Sequence, residues 1–137
     1  MKYSKGYKYQ LKTDYTHPRP IFTVISALVE LPFIQVDLCG IMTIRAGYAW
    51  DGASGPTVDC ESSMTPSLVH DAGYQLGRSG YYAGFEKSAR KWWDDEFYQM
   101  LCDRDFNLGR AYLYHKAVRH FAARAFDSKP KAIIEAY

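Results

Sequence analysis

The chain has 137 residues, of which 47% are hydrophobic and 16% aromatic, and its formal net charge is +2. This length and composition exclude a disordered chain and predict a single domain over residues 1–137 with its own hydrophobic core. The small net charge does not by itself argue for nucleic acid as a partner, and binding of nucleic acid or a nucleotide through the basic C-terminal helix is a third, less favoured hypothesis. The three cysteines, with no C-x-x-C pair, argue against a disulfide framework or a cysteine-only zinc site.

The first residues, MKYSKGYKYQ, lack the apolar segment of a secretory signal, so we expect no signal peptide. The longest apolar stretch, residues 21–34, is too short to span a bilayer and contains Glu30 and Pro32. We therefore expect no transmembrane segment.

Residues 1–58 carry mainly the signals of β-strands. Residues 7–12 alternate apolar and polar side chains, which is typical of a half-buried strand. Residues 22–31 are rich in β-branched side chains and favour a further strand, with a turn or strand edge at Leu31-Pro32. Residues 33–45 predict one or two strands interrupted at Gly40, and the glycine-rich segment 46–56 predicts a tightly structured loop.

Residues 64–126 have helical patterns and are followed by a tail at 127–137. Thr65 and Pro66 predict the start of a first helix, with Thr65 as the N-cap and Pro66 at the first helical position. This helix should end within residues 77–80. A third helix is expected over residues 108–126, with basic residues on its outer side.

A second predicted helix spans residues 85–102. Its apolar residues recur at helical spacing and should form one buried face: Phe85, Ala89, Trp93, Phe97 and Met100. Strands followed by helices predict the α+β class, with a small N-terminal antiparallel sheet and about three C-terminal helices packed on it.

The glycine-rich loop supplies the first candidate site residues, Asp51, Gly52 and Ser54. Glycines allow the backbone to approach a ligand closely, and Asp51 would then act as an acid, a base or a metal ligand. The alternative is that Asp51 and Ser54 only bind backbone amides within a turn.

The first predicted helix supplies His70, Asp71 and Tyr74. Residues four apart share a helix face, so His70 and Tyr74 should be neighbours, whereas Asp71 points about a quarter turn away from His70. A histidine beside an acid is a candidate acid–base or metal-binding pair, and a structural histidine is the alternative.

The second predicted helix supplies Arg90 and Asp94, which are four residues apart and can form a salt bridge. Asp94 lies at the edge of the apolar face and could also reach a neighbouring histidine. Asp95 points a further 100° away and should be solvated.

Three chemistries fit these residues. A metal site formed by His70, Asp51 and Asp94 would suit zinc, manganese or iron because it mixes nitrogen and oxygen ligands. A serine hydrolase would use Ser54 with His70 and an acid, although the G-x-S-x-G spacing is absent. A cysteine nucleophile would pair Cys60 with His70.

Three short motifs occur in order: residues 47–56 (GYAWDGASGP), His70-Asp71-x-x-Tyr74, and Asp94-x-x-Phe97-Tyr98. In this order they resemble the phage-associated domain of unknown function family 1353, over roughly residues 30–122. The resemblance implies a phage or prophage protein, located in the host cytoplasm or the virion. It also implies that the family's polar motif positions are those named above: Asp51, Ser54, His70, Asp71, Tyr74 and Asp94. The Trp92-Trp93 pair departs from the family pattern, in which small residues precede the aspartate.

The leading hypothesis from the sequence is a metal-dependent hydrolase. Asp51, His70 and Asp94 would bind the metal, Asp71 would act as a general base or orient a ligand, and Tyr74, Arg90 and Gly52 would support the site. The alternative is a non-enzymatic virion or tail component, or a host-directed binding protein, in which the same residues form a structural polar network. Its partners would then be other phage structural proteins or a host target.

Overall fold

The computed structural model describes residues 3–4, 9–25, 27–50, 61–104, 108–121 and 126. Within these ranges short antiparallel strands precede three helices, so the fold class is α+β, as predicted. The strands are β1 (Tyr3–Ser4), β2 (Tyr9–Leu11), β3 (Tyr15–Thr16), β4 (Val29–Glu30), β5 (Ile34–Val36), β6 (Met42–Ile44) and β7 (Ala49–Trp50). The helices are α1 (Glu61–Arg78), α2 (Glu86–Asp103) and α3 (Leu108–Phe121).

The chain divides into two compact units, one containing the strands and the other containing the helices. The prediction of a single domain over residues 1–137 stays a prediction. No helix in the described ranges is both long and apolar enough to cross a membrane.

The strand unit contains two antiparallel sheets among the residues that the structure describes. One has the order β1-β2-β7 and the other has the order β3-β6-β5-β4. Alternate side chains of β5 and β6 are buried, as expected for strands with one face against a core: Ile34, Val36, Met42 and Ile44.

The β5–β6 hairpin shows why the sequence pattern is interrupted at Gly40. Asp37 Oδ1 accepts hydrogen bonds of 2.9 Å from the backbone nitrogens of Cys39 and Ile41, which closes the turn. Gly40 has a φ of +83°, a conformation that glycine adopts without a steric penalty. The predicted interruption at Gly40 is therefore confirmed, and of the one or two strands predicted the structure has two, β5 and β6.

The strand predicted over residues 22–31 is wrong for most of its length, because among the described residues 22–25 and 27–31 only Val29–Glu30 forms a strand. Ile21 N donates instead to the carbonyl of Gly40 at 2.9 Å, and the side chains of Ile25 and Leu28 are exposed. A β-branched sequence forms a strand only where a neighbouring strand supplies backbone hydrogen bonds and side-chain packing. Here β5 pairs with β4 over only two residue pairs.

The predicted start of α1 is also wrong, since the helix begins at Glu61 and Pro66 lies inside it. The fixed φ angle of proline fits a helix, but proline has no N–H to donate to the carbonyl four residues earlier. Pro66 lies near the N-terminal end of α1, where a helix already has unpaired N–H groups. Thr65 is therefore not the N-cap. The predicted end is confirmed, because α1 stops at Arg78 and Gly80 follows with a φ of +91°.

The helices of the second unit pack in chain order, α1 against α2 and α2 against α3. Four of the five residues predicted for the apolar face of α2 are buried: Ala89, Trp93, Phe97 and Met100. Phe85 is the exception, because it precedes the helix and is 54% exposed.

Gly73 of α1 allows close contact with Trp93 of α2. A Cβ atom at Gly73 would lie 2.1 Å from Trp93 Cδ2, inside the van der Waals radius of the indole. The indole Nε1 donates a 3.0 Å hydrogen bond to Tyr82 Oη, so the ring position is also fixed from its polar edge. This contact sets the separation of the two helices at the level of the candidate site.

Candidate functional site

Asp94 lies at the centre of a buried polar cluster in the helical unit. It is 0% exposed, and its Oδ1 atom is 2.7 Å from His70 Nε2 and 2.6 Å from Tyr74 Oη. Both distances are those of short hydrogen bonds to a carboxylate. One oxygen of Asp94 therefore accepts hydrogen bonds from two side chains of α1.

The second oxygen of Asp94 is directed at α3. Arg119 Nη1 donates a 2.9 Å hydrogen bond to Oδ2, and Arg90 Nε lies 4.0 Å from the same oxygen. Arg90 Nη2 donates to the backbone carbonyl of Arg119, which connects α2 to the last turn of α3. We call Asp94, His70, Tyr74 and Arg119 the Asp94 cluster.

Helical spacing brings the two α1 members of the cluster together. His70 and Tyr74 are one turn apart, and their ring centroids are 4.2 Å from each other. The His70 ring also lies 5.1 Å from Phe97, and Phe126 contacts the Tyr74 ring edge-on at 5.0 Å. Apolar rings thus exclude water from the cluster, and His70 and Tyr74 are each only 3% exposed.

The environment determines the ionisation of Asp94. Burial favours the neutral acid, but the hydrogen bond and attraction from His70, with the bonds from Tyr74 and Arg119, outweigh it and hold the Asp94 pKa below its ordinary value. Asp94 is therefore a carboxylate at neutral pH, so the proton of the His70 contact belongs to Nε2, which donates. Burial, followed by the adjacent Asp94 charge, raises the pKa of the Tyr74 hydroxyl, which stays protonated and donates.

The His70–Asp94 geometry is that of a direct hydrogen bond. Two ligands that share one tetrahedral metal at about 2.0–2.2 Å each are separated by about 3.3 Å, more than the 2.7 Å between Nε2 and Oδ1. Across the described parts of the chain, no group of three or more His, Cys, Asp or Glu side chains is placed to hold a metal ion. The third predicted ligand, Asp51, lies outside the described residues.

The structure brings together four of the predicted site residues: His70, Tyr74, Arg90 and Asp94. Asp71 follows His70 on α1 and is only partly buried. Asp51, Gly52, Ser54 and Cys60 lie outside the described residues, so their proposed roles stay predictions.

Sequence reasoning missed Arg119, which the pattern assigned to the basic outer side of the third helix. Arg119 is 25 residues from its partner Asp94 and lies on another helix, so no local spacing connects them. Its signal in the sequence is weak: a basic residue directly after the buried Ala117 and Val118. Only the packing of α3 against α2 places it beside the carboxylate.

Asp95 forms a second, more exposed pair of contacts. Its Oδ1 atom is 2.9 Å from His115 Nε2 and its Oδ2 atom is 2.5 Å from Lys91 Nζ. Its side chain is 46% exposed, so the predicted solvation is partial. Two adjacent aspartates of α2 thus both bind α3, one in the interior and one at the surface.

Comparison of the chain with known protein families, with curated proteins and with solved structures found no match. The resemblance to the phage-associated family 1353 therefore stays a prediction.

Proposed function

We propose that the Asp94 cluster is a structural network that fastens α1, α2 and α3 together, and that the protein acts without catalysis. In this proposal it is a phage virion or tail component, or a host-directed binding protein. The phage assignment rests on the three ordered sequence motifs. The structural role rests on the contacts of Asp94.

The observation that supports the proposal best is that both oxygens of a completely buried carboxylate accept hydrogen bonds from other helices. Oδ1 accepts hydrogen bonds from two α1 side chains, His70 and Tyr74, and Oδ2 accepts one from Arg119 of α3. A general base or a metal ligand needs an oxygen lone pair directed at a substrate or an ion. Asp94 directs both oxygens at other helices, and each donor fixes the rotation and separation of one helix relative to α2.

Energetics favour the same role. A buried charge without partners is strongly destabilising, whereas a satisfied network makes one arrangement of the helices more favourable than its alternatives. Removing the Asp94 charge leaves the buried His70 without its charged acceptor, at a cost of about 3–5 kcal/mol. The network therefore specifies how three helices meet, and the outer surfaces remain available for partners.

The surface of the helical unit has features of an interaction surface. Phe85, Tyr112 and Leu113 are all more than half exposed. Aromatic side chains such as Phe85 and Tyr112 are enriched at protein–protein interfaces relative to the rest of the surface. They support a binding role, and the partner class proposed is another phage structural protein or a host protein.

A metal-dependent hydrolase is the second candidate function, and one observation favours it. A histidine that binds a catalytic metal usually donates its other ring N–H to a carboxylate. His70 donates Nε2–H to Asp94, so His70 Nδ1 would be the metal ligand beside Asp51, and Asp94 would orient the ring. In this candidate Asp71 or Ser54 would supply the acid–base or nucleophilic group.

Metal content and melting temperature, measured together, distinguish the two candidates. The samples are dialysed wild-type protein and the His70→Ala variant, incubated with zinc, manganese or iron and analysed by native mass spectrometry. The structural proposal expects no stoichiometric metal in either protein and a large loss of melting temperature in the variant. Stoichiometric metal in the wild type that is lost in a variant of near-normal stability would refute it and favour the hydrolase. A search for the protein in purified virions tests the phage role separately.

A further inference from the structure

A cleft of ≈ 500 Å³ lies on the outer side of α3. Its described lining comes entirely from this helix: Tyr112, His115, Lys116, Arg119 and His120. The cleft is wide and open to solvent, so a ligand there would stay partly exposed. Of the Asp94 cluster, Arg119 is the member that lines the described part of the cleft.

The lining follows from the sequence spacing. The five side chains form one continuous stripe, because each lies three or four positions in sequence from another member on the same helix face: residues 112, 115, 116, 119 and 120. One side chain is aromatic and the other four carry nitrogen donors. This composition suits a ligand with an anionic group and a flat, apolar group.

Asp94 and Asp95 of α2 hold cationic side chains of α3 in place, but they do not neutralise all of the positive charge at the cleft. Asp94 binds Arg119, and Asp95 binds both His115 and Lys91. Arg90 adds a further guanidinium near Asp94. Among these side chains four permanent cations, Arg90, Lys91, Lys116 and Arg119, meet two carboxylates, Asp94 and Asp95, so positive charge is in excess.

Lys116 is the exposed cation of the cleft and lies over the Tyr112 ring. Its Nζ atom is 5.3 Å from the ring centroid and 3.3 Å from the hydroxyl oxygen. An ammonium ion held beside an aromatic face can bind a phosphate oxygen while the ring packs against the ligand's own ring. Asp94 already holds the Arg119 guanidinium in place. Arg119 therefore supplies a second donor whose side chain loses little conformational entropy when a ligand binds.

We propose that this α3 cleft binds a small phosphate monoester that carries an aromatic ring. Lys116, Arg119 and His120 bind the phosphate oxygens, and the Tyr112 ring packs against the aromatic group. The site shares Arg119 with the Asp94 cluster, whereas Lys116 and Tyr112 lie outside that cluster. The variants that test it change Lys116 and Tyr112 and leave Asp94 intact.

Isothermal titration calorimetry with phenyl phosphate and inorganic phosphate tests the proposal. Wild-type protein is expected to bind phenyl phosphate more tightly than inorganic phosphate. Lys116→Met should weaken both by about tenfold, the effect of one charge-assisted hydrogen bond. Tyr112→Ala should reduce the affinity for phenyl phosphate to that for inorganic phosphate. Circular dichroism should show both variants folded, since both side chains are exposed.

Lys87→Met is the matched control, because Lys87 is an exposed helical lysine of α2 that does not line the cleft. It should leave both affinities within about twofold of wild type, since a distant surface charge acts only through screened attraction. Equal weakening by Lys87→Met and Lys116→Met would show binding by overall charge and overturn the proposal. So would the absence of wild-type binding at millimolar phosphate, or binding of a short oligonucleotide without binding of phenyl phosphate.

Parallel titrations with adenosine monophosphate and O-phosphotyrosine distinguish the two sources of such a ligand. Tighter binding of the first assigns a nucleotide, and tighter binding of the second assigns a phosphorylated tyrosine. Either preference, lost in Lys116→Met, supports the cleft as the site.

Discussion

His70 and Asp94 form a hydrogen bond of 2.7 Å between Nε2 and Oδ1, and both side chains are almost completely buried. The bond connects α1 to α2 across 24 residues of sequence. Since the Asp94 pKa is held below its ordinary value, a charged acceptor lies in the interior. The stability of the helical unit should therefore depend on this carboxylate more than on any surface charge.

Asp94→Asn should lower the free energy of unfolding by about 3–5 kcal/mol, because it leaves the buried His70 without a charged acceptor and removes the ion-pair partner of Arg119. Asp95→Asn is the matched control: the same substitution at the next residue, at a half-exposed position. It should cost about 1 kcal/mol or less. Urea unfolding followed by circular dichroism measures both. Equal losses would argue against a special role for Asp94.

Tyr74→Phe should cost about 1.5–2 kcal/mol, since it removes one hydrogen bond to a buried carboxylate and keeps the ring packing against His70 and Phe126. Tyr112→Phe, which removes an exposed hydroxyl, should change stability by less than about 0.5 kcal/mol. Thermal unfolding of the two variants side by side tests the difference. A neutral Tyr74→Phe would mean that the hydroxyl does not support Asp94.

Acid should unfold wild-type protein partly through Asp94. Its folded pKa is lowered, so its contribution to stability is complete above the unfolded aspartate pKa of about 3.9 and is lost as pH falls through the folded pKa. Asp94→Asn lacks this contribution, so its unfolding free energy should change less than that of wild type below about pH 4. Urea titrations at several acidic pH values give the two slopes. Parallel slopes would contradict the lowered pKa.

Gly73→Ala should destabilise by at least about 2 kcal/mol despite the better helix propensity of alanine, because the new methyl would overlap the Trp93 indole. Gly109→Ala provides the matched control at an exposed helical position. It should stabilise by up to about 1 kcal/mol through helix propensity alone. Opposite signs in chemical unfolding are the expected result. A stabilising Gly73→Ala would show that α1 and α2 are further apart than described.

Much of the local structure could be predicted because it depends on local patterns. The break at Gly40 comes from one positive φ angle, and the buried face of α2 comes from a helical repeat of apolar residues. The errors at residues 22–31 and at Pro66 arise where tertiary context decides. Among the described residues of the β-branched segment, Val29–Glu30 is the part that pairs with a neighbouring strand, and a helix tolerates a proline near its N-terminal end.

The candidate site could be predicted in part. His70, Tyr74 and Asp94 were found from helical spacing and from polar residues at the edge of apolar faces. Arg119 was not found, because its contact with Asp94 joins positions 25 residues apart on two helices. The metal and hydrolase hypotheses depend on Asp51 and Ser54, and they stay predictions.

The sequence by itself determined the α+β class, the extent of α2 and the pairing of His70 with Tyr74, because these follow from periodicity over a few residues. Only the tertiary structure decided that Asp94 is buried and that its oxygens bind α1 and α3. The reason is physical: a carboxylate enters an interior only where several donors converge on it. That convergence exists only once the helices have packed.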